Sequence, residues 1–390
     1  MKSISLTKIL LFVLSAAALA FVGFWGMLFI VLSGRPEVAL PCLIVFLIAL
    51  QLCLFTRFKK QTGIVMALAV LLGGGHFGYH AWQMEQAHKV PQMTADVDLD
   101  EYEPFAENNR LAKLDAPAAL QIPADRRPRL DGAVALYPLY AAFVQAVYPP
   151  PAPENSWEYG WRNEGMVAMT NTPDAYERLI KGETDIIFVA EPSDAQVKAA
   201  AAAGKTFKLT PIGKEAFVFF VNKQNPVGNL STEQVVGIYS GRLKNWREVG
   251  GPDQAIRAFQ RNENSGSQTA LQKIMGGTPL MEPPYEDRMQ NMGGIVKGVA
   301  DYRNYENALG FSFRYYTQTM LNNNQIKLLN INGIAPTREN IANNSYPYAK
   351  EFYAVTAGNE TPAVKQFIEW IKSPQGRELI NKTGYVAIDG

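Results

Sequence analysis

Apolar and polar positions divide the chain into a front and a body. Ile9 to Leu32 runs for 24 residues without a charge. At ~1.5 Å per residue such a run can cross the ~30 Å hydrocarbon layer as one helix. Val38 to Phe55 gives a second run. Gly63 to Trp82 gives a third, diluted by Gly73, Gly74, Gly75, His76 and His80 but free of Lys, Arg, Asp and Glu. The pattern predicts about three transmembrane helices, over 9–32, 38–55 and 63–82. A cleaved leader is the competing reading of the first run, since Lys2 and Lys8 precede it and Ala18-Leu19-Ala20 offers small residues. That apolar core runs on for twelve more residues and a second run follows, which favours retained helices.

Behind the front, Gln83 to Arg129 turns polar, with Pro91, Pro104, Pro117, Pro123 and Pro128 and the acids Asp96, Asp98, Asp100, Glu101 and Glu103. This reads as a linker over 83–129 with little structure of its own. After Leu130 short apolar runs alternate with helical patterns: Gly165–Thr170, Asp174–Lys181, Asp185–Ala190 and Asp194–Ala203. Such alternation predicts an α/β fold with parallel strands. Further strands are expected at Ala216–Asn222, Ala308–Phe313, Ile326–Ile331 and Phe352–Thr356, and helix starts near Thr232, Gly266, Gly293, Arg338, Pro362 and Ser373. Trp246 and Tyr239 read as core, and Phe367, Trp370 and Ile371 as one buried helix face.

Charge is distributed as unevenly as hydropathy. Of 390 residues, 19% are charged with a formal net charge of +1, yet residues 1–82 hold only seven charged side chains. The remaining 308 carry 31 basic and 35 acidic residues, which excludes a generally basic nucleic-acid binder. Lys2, Lys8, Arg57, Lys59 and Lys60 fall on one side of the three spans and Arg35 and Lys89 on the other. The basic side is cytoplasmic, so three crossings place the carboxy-terminal body outside and two would leave it inside. Both cysteines, Cys42 and Cys53, and all three histidines, His76, His80 and His88, precede residue 90. The body therefore has no disulfide, no Cys or His metal ligand and no Ser/His or Cys nucleophile system. His76 and His80 lack a carboxylate partner and read as packing, not as a metal site.

The most informative stretch is Arg261-Asn262-Glu263-Asn264-Ser265-Gly266-Ser267 before the helical pattern Gln268–Met275. Ser265 or Ser267 can cap that helix, Gly266 admits close approach, and the first-turn N–H groups with the helix dipole favour an oxyanion. Arg261 adds a planar cationic fork. A second candidate is Thr170-Asn171-Thr172-Pro173-Asp174, with Thr172 placed as N-cap and Pro173 as first helical residue. The third is Gly132-Ala133-Val134-Ala135 before Tyr137-Pro138, which offers backbone N–H groups but no hydroxyl before Tyr137. Each of these is also an ordinary helix start, which is the commoner role for such residues.

Taken together, several blocks resemble the phosphate-binding proteins of bacterial phosphate ABC transporters, a branch of the type II periplasmic-binding fold. They are Leu130-Asp131-Gly132 with Tyr137-Pro138-Leu139-Tyr140, Asn225-Pro226-Val227 with Leu230-Ser231, Ile238 to Trp246, and Arg261 with Ser265-Gly266-Ser267. The resemblance implies two α/β lobes closing on a ligand, lobe one over 130–212 and 346–390 and lobe two over 213–345. It implies ligand contacts from Arg261, Glu263, Ser265, Gly266, Ser267, Thr170, Asn171 and Thr172, and from the loop at Ala133 and Val134. It departs from the family where Ala133 and Val134 replace a Ser or Thr hydroxyl, Ala190 replaces an Asp, and Glu263 replaces an Asp.

The implied function is a membrane-anchored, extracytoplasmic binding protein for inorganic phosphate, serving an ABC permease or sensing, with neither cofactor nor metal. Within binding, the alternatives are another small oxyanion or an organic phosphate. From other classes come a ligand-free, membrane-tethered interaction module, favoured by Ala133 and Val134, and an enzyme using Glu263, Glu191 or a Ser with Lys. The absence of His and Cys from the body weighs against the enzyme.

Overall fold

The computed structural model describes residues 12–16, 19–21, 23, 25, 36–55, 59–89, 97–162, 165–261, 263–282, 288–289, 306–320, 326–358 and 360–388. The chain forms two compact units, 1–90 and 91–390. In the first, α1 (Pro36–Phe55) packs on α2 (Lys59–Lys89). A Cβ on Gly73 would come within 3.1 Å of the Cys42 Cβ, so this glycine allows the two helices to approach closely. Large apolar side chains stay exposed on both, including Ile44, Ile48 and Leu52 on α1 and Leu68, Leu71 and Leu72 on α2. Among the described residues, no helix is long and apolar enough to cross a membrane. The expected multi-span region is therefore not reproduced. The run 9–32 lies mostly outside the described residues, 38–55 falls within α1, and 63–82 falls within α2, whose 31 residues include Lys59, Lys60, Glu85 and Lys89 as well as the glycine cluster.

The second unit is an α/β body. In chain order its main elements are β1 (Leu130–Gly132), α3 (Tyr137–Val147), α4 (Asn171–Lys181), β2 (Ile186–Val189), α5 (Asp194–Ala202), β3 (Lys208–Asn222) and α6 (Thr232–Tyr239). There follow β4 (Arg257–Ala258), α7 (Gly266–Ile274), β5 (Ala308–Phe313), β6 (Ile326–Leu328), α8 (Arg338–Ala342), β7 (Ala349–Thr356), α9 (Pro362–Lys372), α10 (Pro374–Thr383) and β8 (Val386–Ala387). Most helices start where the sequence reading puts them because a hydroxyl is there to cap them. Ser193, Ser231, Ser265, Thr337, Thr361 and Ser373 each accept an N–H from the first turn of α5, α6, α7, α8, α9 and α10. The start expected near Gly293 lies outside the described residues.

The sheet runs β1-β2-β7-β3-β5-β4, with β6 and β8 also paired to β3. β1 and β2 are parallel, but β7 is antiparallel to both β2 and β3, and β5 is antiparallel to β3, so the sheet is mixed where alternation predicted parallel strands. The reason is the length of β3: its 15 residues leave one half of the body and enter the other. Lys208 to Ala216 pair with β7, whereas Phe217 to Val221 pair with β5. Ala175, Tyr176, Leu179, Ile187, Val189 and Val355 form one core. Phe217, Phe219, Tyr239, Trp246, Phe311 and Leu329 belong to another, larger core at the far end of β3. The fold is thus two-lobed. Of the strand expected at 165–170 only a single bridge forms, Val167 beside Leu130. Phe367 and Ile371 are fully buried and Trp370 nearly so, as the helical spacing requires.

Residues 97–129 contain only short 3-10 turns, yet they do not hang free of the body. Leu99, Tyr102, Leu111 and Ile122 are buried. Gln375 accepts from the Ala119 N–H and donates to the Pro117 carbonyl, and Asp115 pairs with Lys382 at 2.6 Å. Proline had suggested a tether, but these apolar anchors are spaced through the segment and α10 supplies polar partners for its backbone.

One buried ion pair organises the first lobe. Asp131 is fully buried, accepts the Gly132 and Thr170 N–H groups and the Thr170 hydroxyl, and meets Arg178 Nε at 2.9 Å. Burial raises the Asp131 carboxyl pKa, while the hydrogen bonds and Arg178 pull it back down. Removing one partner of such a pair leaves an uncompensated buried charge. Asp131→Ala is expected to lower stability by about 3 kcal/mol or more in urea unfolding. Glu177→Ala, which breaks an exposed pair with Lys181, should cost less than about 0.5 kcal/mol. Equal effects of the two substitutions would contradict the role given to Asp131.

Candidate functional site

Three chain turns converge on one cavity of about 550 Å³. The first follows β1. A Cβ on Gly132 would collide with the Phe188 carbonyl oxygen, so glycine lets β1 lie against β2 before the chain turns through Ala133. The Ala133 N–H is taken by that same Phe188 carbonyl at 2.9 Å. Val134 to Leu136 then form a 3-10 turn that leads into α3. The N–H groups of Val134 and Ala135 belong to this first turn, where no intrahelical acceptor is available.

The second turn is the start of α4. The sequence places Thr172 as the cap, but the helix begins at Asn171 with Thr170 before it. The cause lies in Asp131, which takes both the N–H and the hydroxyl of Thr170 at 2.9 and 2.8 Å. Thr170 therefore braces the helix start and is not among the residues lining the cavity; Asn171, Thr172 and Pro173 are. Asn171 has φ +74°, a backbone conformation that Asn tolerates better than most side chains.

The third turn links the short strand Gln260–Arg261 to α7. Ser265 caps α7 by accepting the Gln268 N–H at 3.2 Å. Gln268, itself buried, accepts the Arg261 N–H at 2.8 Å and donates to the Gln260 side chain, which holds the loop in shape. Arg261, Ser265, Gly266 and Ser267 line the cavity. A Cβ on Gly266 would sit 3.1 Å from Thr172 Oγ1, so this glycine lets the start of α7 approach the start of α4. Two helix N-termini thus face one space, and their orphan N–H groups and dipoles add to Arg261.

Of the ten residues named from the sequence, eight line this cavity: Ala133, Val134, Asn171, Thr172, Arg261, Ser265, Gly266 and Ser267. Thr170 serves Asp131. Glu263 is exposed, accepts from Gln272 Nε2 at 2.7 Å and does not reach the cavity. The extra methylene of Glu relative to Asp lets it reach the exposed side of α7. Among the described residues lining the cavity, Arg261 is the one charged group, and no carboxylate is present. Ala135 and Pro173, which belong to the candidate turns read from the sequence, complete the wall together with Ser312, Phe313 and Tyr316, which the sequence reading does not single out. Ser312 left a signal: it is a polar, buried position inside the otherwise apolar β5. No group of His, Cys, Asp or Glu arranged to hold a metal occurs among the described residues.

Outside the cavity the two lobes are tied directly. Ser193 Oγ donates to Asn264 Oδ1 at 2.9 Å, Gln196 Nε2 to the Asn264 carbonyl at 3.3 Å, and Lys273 pairs with Glu191 at 2.7 Å.

This architecture has known counterparts. The chain is 25% identical over 186 residues to the phosphate-binding protein PstS of Borreliella burgdorferi, an alignment covering 46% of this chain and 66% of that one. It is 28% identical over 170 residues to PstS of Bacillus subtilis, covering 43% and 53%. The matched part thus spans between about half and two thirds of those relatives' length. A Clostridium perfringens structure described as a phosphate ABC transporter substrate-binding protein with bound phosphate aligns at 22% identity and a TM-score of 0.50. That alignment covers 67% of this chain and 99% of the other, a likeness of fold. A family model described as a PBP superfamily domain matches residues 162–375. With more than half of its length inside that match and the two-lobed α/β body around it, the chain belongs to the PBP superfamily.

Proposed function

We propose that this protein is an extracytoplasmic receptor for inorganic phosphate that binds the anion between lobe one (130–212 and 346–390) and lobe two (213–345) and presents it to an ABC permease or a sensor. The observation that carries the reading is the convergence of the α4 and α7 N-termini with Arg261 on one cavity that no acid lines. A buried tetrahedral anion needs aimed donors and a cationic partner, because an unpaired charge there is strongly disfavoured. The similarity to the two PstS proteins supports phosphate as the ligand. The protein binds and releases its ligand and is not an enzyme. Ala133 and Val134 supply no hydroxyl, so the first loop contributes backbone N–H groups alone.

Calorimetric titration of the full chain with phosphate tests this. Arg261→Ala is expected to weaken binding at least 30-fold, about 2 kcal/mol for a lost charged hydrogen-bond partner. Glu263→Gln should change affinity less than about twofold, since Glu263 faces Gln272. No phosphate binding by the unmodified chain, or an Arg261→Ala variant with unchanged affinity, would refute the assignment.

The front unit we read as the membrane attachment, with its carboxy-terminal body on the external side. The support is the sequence pattern of 9–32, 38–55 and 63–82 and the exposed apolar side chains of α1 and α2. The expressed chain should sediment with membranes and stay there through an alkaline carbonate wash. Release into the supernatant by that wash would contradict retained membrane helices.

A further inference from the structure

The anion cavity does not end at Arg261 and the helix starts. Through residues it shares with a second cavity of about 410 Å³, among them Ala133, Thr172, Gly266 and Phe313, it continues toward the middle of β3. Carbon lines almost all of that annex, from Leu136, Ala190, Phe313 and Phe352. The polar groups that reach it from the core are already engaged. The Glu215 carboxylate accepts the Ala216 and Tyr315 N–H groups at 2.8 and 3.0 Å and pairs with Arg314 at 3.3 Å. The Tyr385 hydroxyl donates to the Ala135 carbonyl, leaving its ring to the annex. Lys350 and Glu351, the other charged residues on the wall, are exposed.

A bare oxyanion occupies only the polar end of such a space. Water in the annex meets a wall of carbon and finds there few of the two to four polar partners that stabilise an ordered water. Conversely, a ligand that carries a small carbon group beside its tetrahedral head would displace that water and bury apolar surface. The lining of the anion cavity has the same consequence. A protonated phosphate oxygen held there finds no carboxylate among that cavity's described lining residues, and of the two acids on the annex wall Glu215 is already engaged and Glu351 is exposed, so replacing P–OH with P–C or P–O–C forfeits no bond in the anion cavity.

We propose that the ligand of this cleft is a phosphoryl group bearing one small apolar substituent, an alkylphosphonate or an alkyl phosphate monoester, with the head on Arg261 and α7 and the alkyl group in the annex beside Ala190 and Phe352. This rests on the oxyanion site proposed above and puts small alkyl derivatives in place of inorganic phosphate as the preferred ligand of that same site. Each buried CH2 is worth about fourfold in affinity, so two carbons give an expected preference of at least tenfold.

The test is calorimetric titration of the full chain with inorganic phosphate, ethylphosphonate, ethyl phosphate and sulfate. The proposal expects one or both ethyl compounds to bind at least tenfold tighter than phosphate. Preference for the phosphonate assigns the link through carbon, and preference for the ester assigns it through oxygen. Ala190→Leu, which fills the annex, should reduce the ratio of ethyl-compound to phosphate affinity at least tenfold. Phosphate bound as tightly as, or more tightly than, both ethyl compounds would overturn the proposal and leave the phosphate reading standing. Binding of none of these anions would overturn both. An unchanged ratio in Ala190→Leu would show that the alkyl group does not enter the annex.

Discussion

An anion removed from water needs several N–H donors and a cation brought to one point from different parts of the chain, and in the proposed site that geometry depends on one strand serving two lobes. β3 pairs with β7 along its first nine residues and with β5 beyond them. The lobe that carries α4 and the lobe that carries α7 are therefore built on a common backbone. Where the pairing changes hands, Glu215 gathers Arg314 and two N–H groups onto one buried carboxylate, and Arg314 in turn donates to the Gly384 carbonyl at 2.7 Å. Burial raises the Glu215 pKa, and Arg314 is the largest of the influences opposing it. The crossing is thus held by polar contacts among buried aromatic residues, Phe217, Tyr315, Phe352 and Tyr385.

The facing helix starts follow from this frame, and small residues set how near they come. Gly266 at the start of α7 meets Thr172 at the start of α4 with no side chain between them. The lobes are also joined through one residue next to the anion loop. Ser193 and Gln196 cap α5 reciprocally, and the hydrogen-bond donors that the cap leaves over both go to Asn264. Asn264 sits at φ +63°, a conformation that Asn adopts at little cost. Its bonds to the α5 cap and its place three residues after Arg261 couple the shape of the anion loop to the closeness of the lobes.

Much of this was legible in the sequence, for identifiable reasons. Helix starts with a Ser or Thr cap are legible to within a residue or two, and the coincidence of a cation, a capping Ser and a Gly marks the Arg261 to Ser267 stretch, of which Arg261, Ser265, Gly266 and Ser267 line the cavity. What failed were features fixed by distant partners. The start of α4 moved because Asp131, 39 residues earlier in the chain, claims Thr170. Glu263 left the site because Gln272, nine residues on, offers it an amide on the exposed side of α7. The mixed sheet was hidden because periodicity reports burial and carries no strand direction. Proline content made 97–129 read as a tether, whereas Leu99, Tyr102, Leu111 and Ile122 are spaced widely enough to escape a pattern search and still pin it to the body.

In the proposed function both lobes place their helix N-termini on one anion. Amide hydrogen exchange of the full chain, followed for peptides spanning 170–175 and 264–269 with and without saturating phosphate, tests it most directly. A shared site requires both segments to gain protection together, at the same phosphate concentration, while the exposed end of α5 is unchanged. Protection of only one of the two segments, or of neither, would contradict a shared anion site between the lobes.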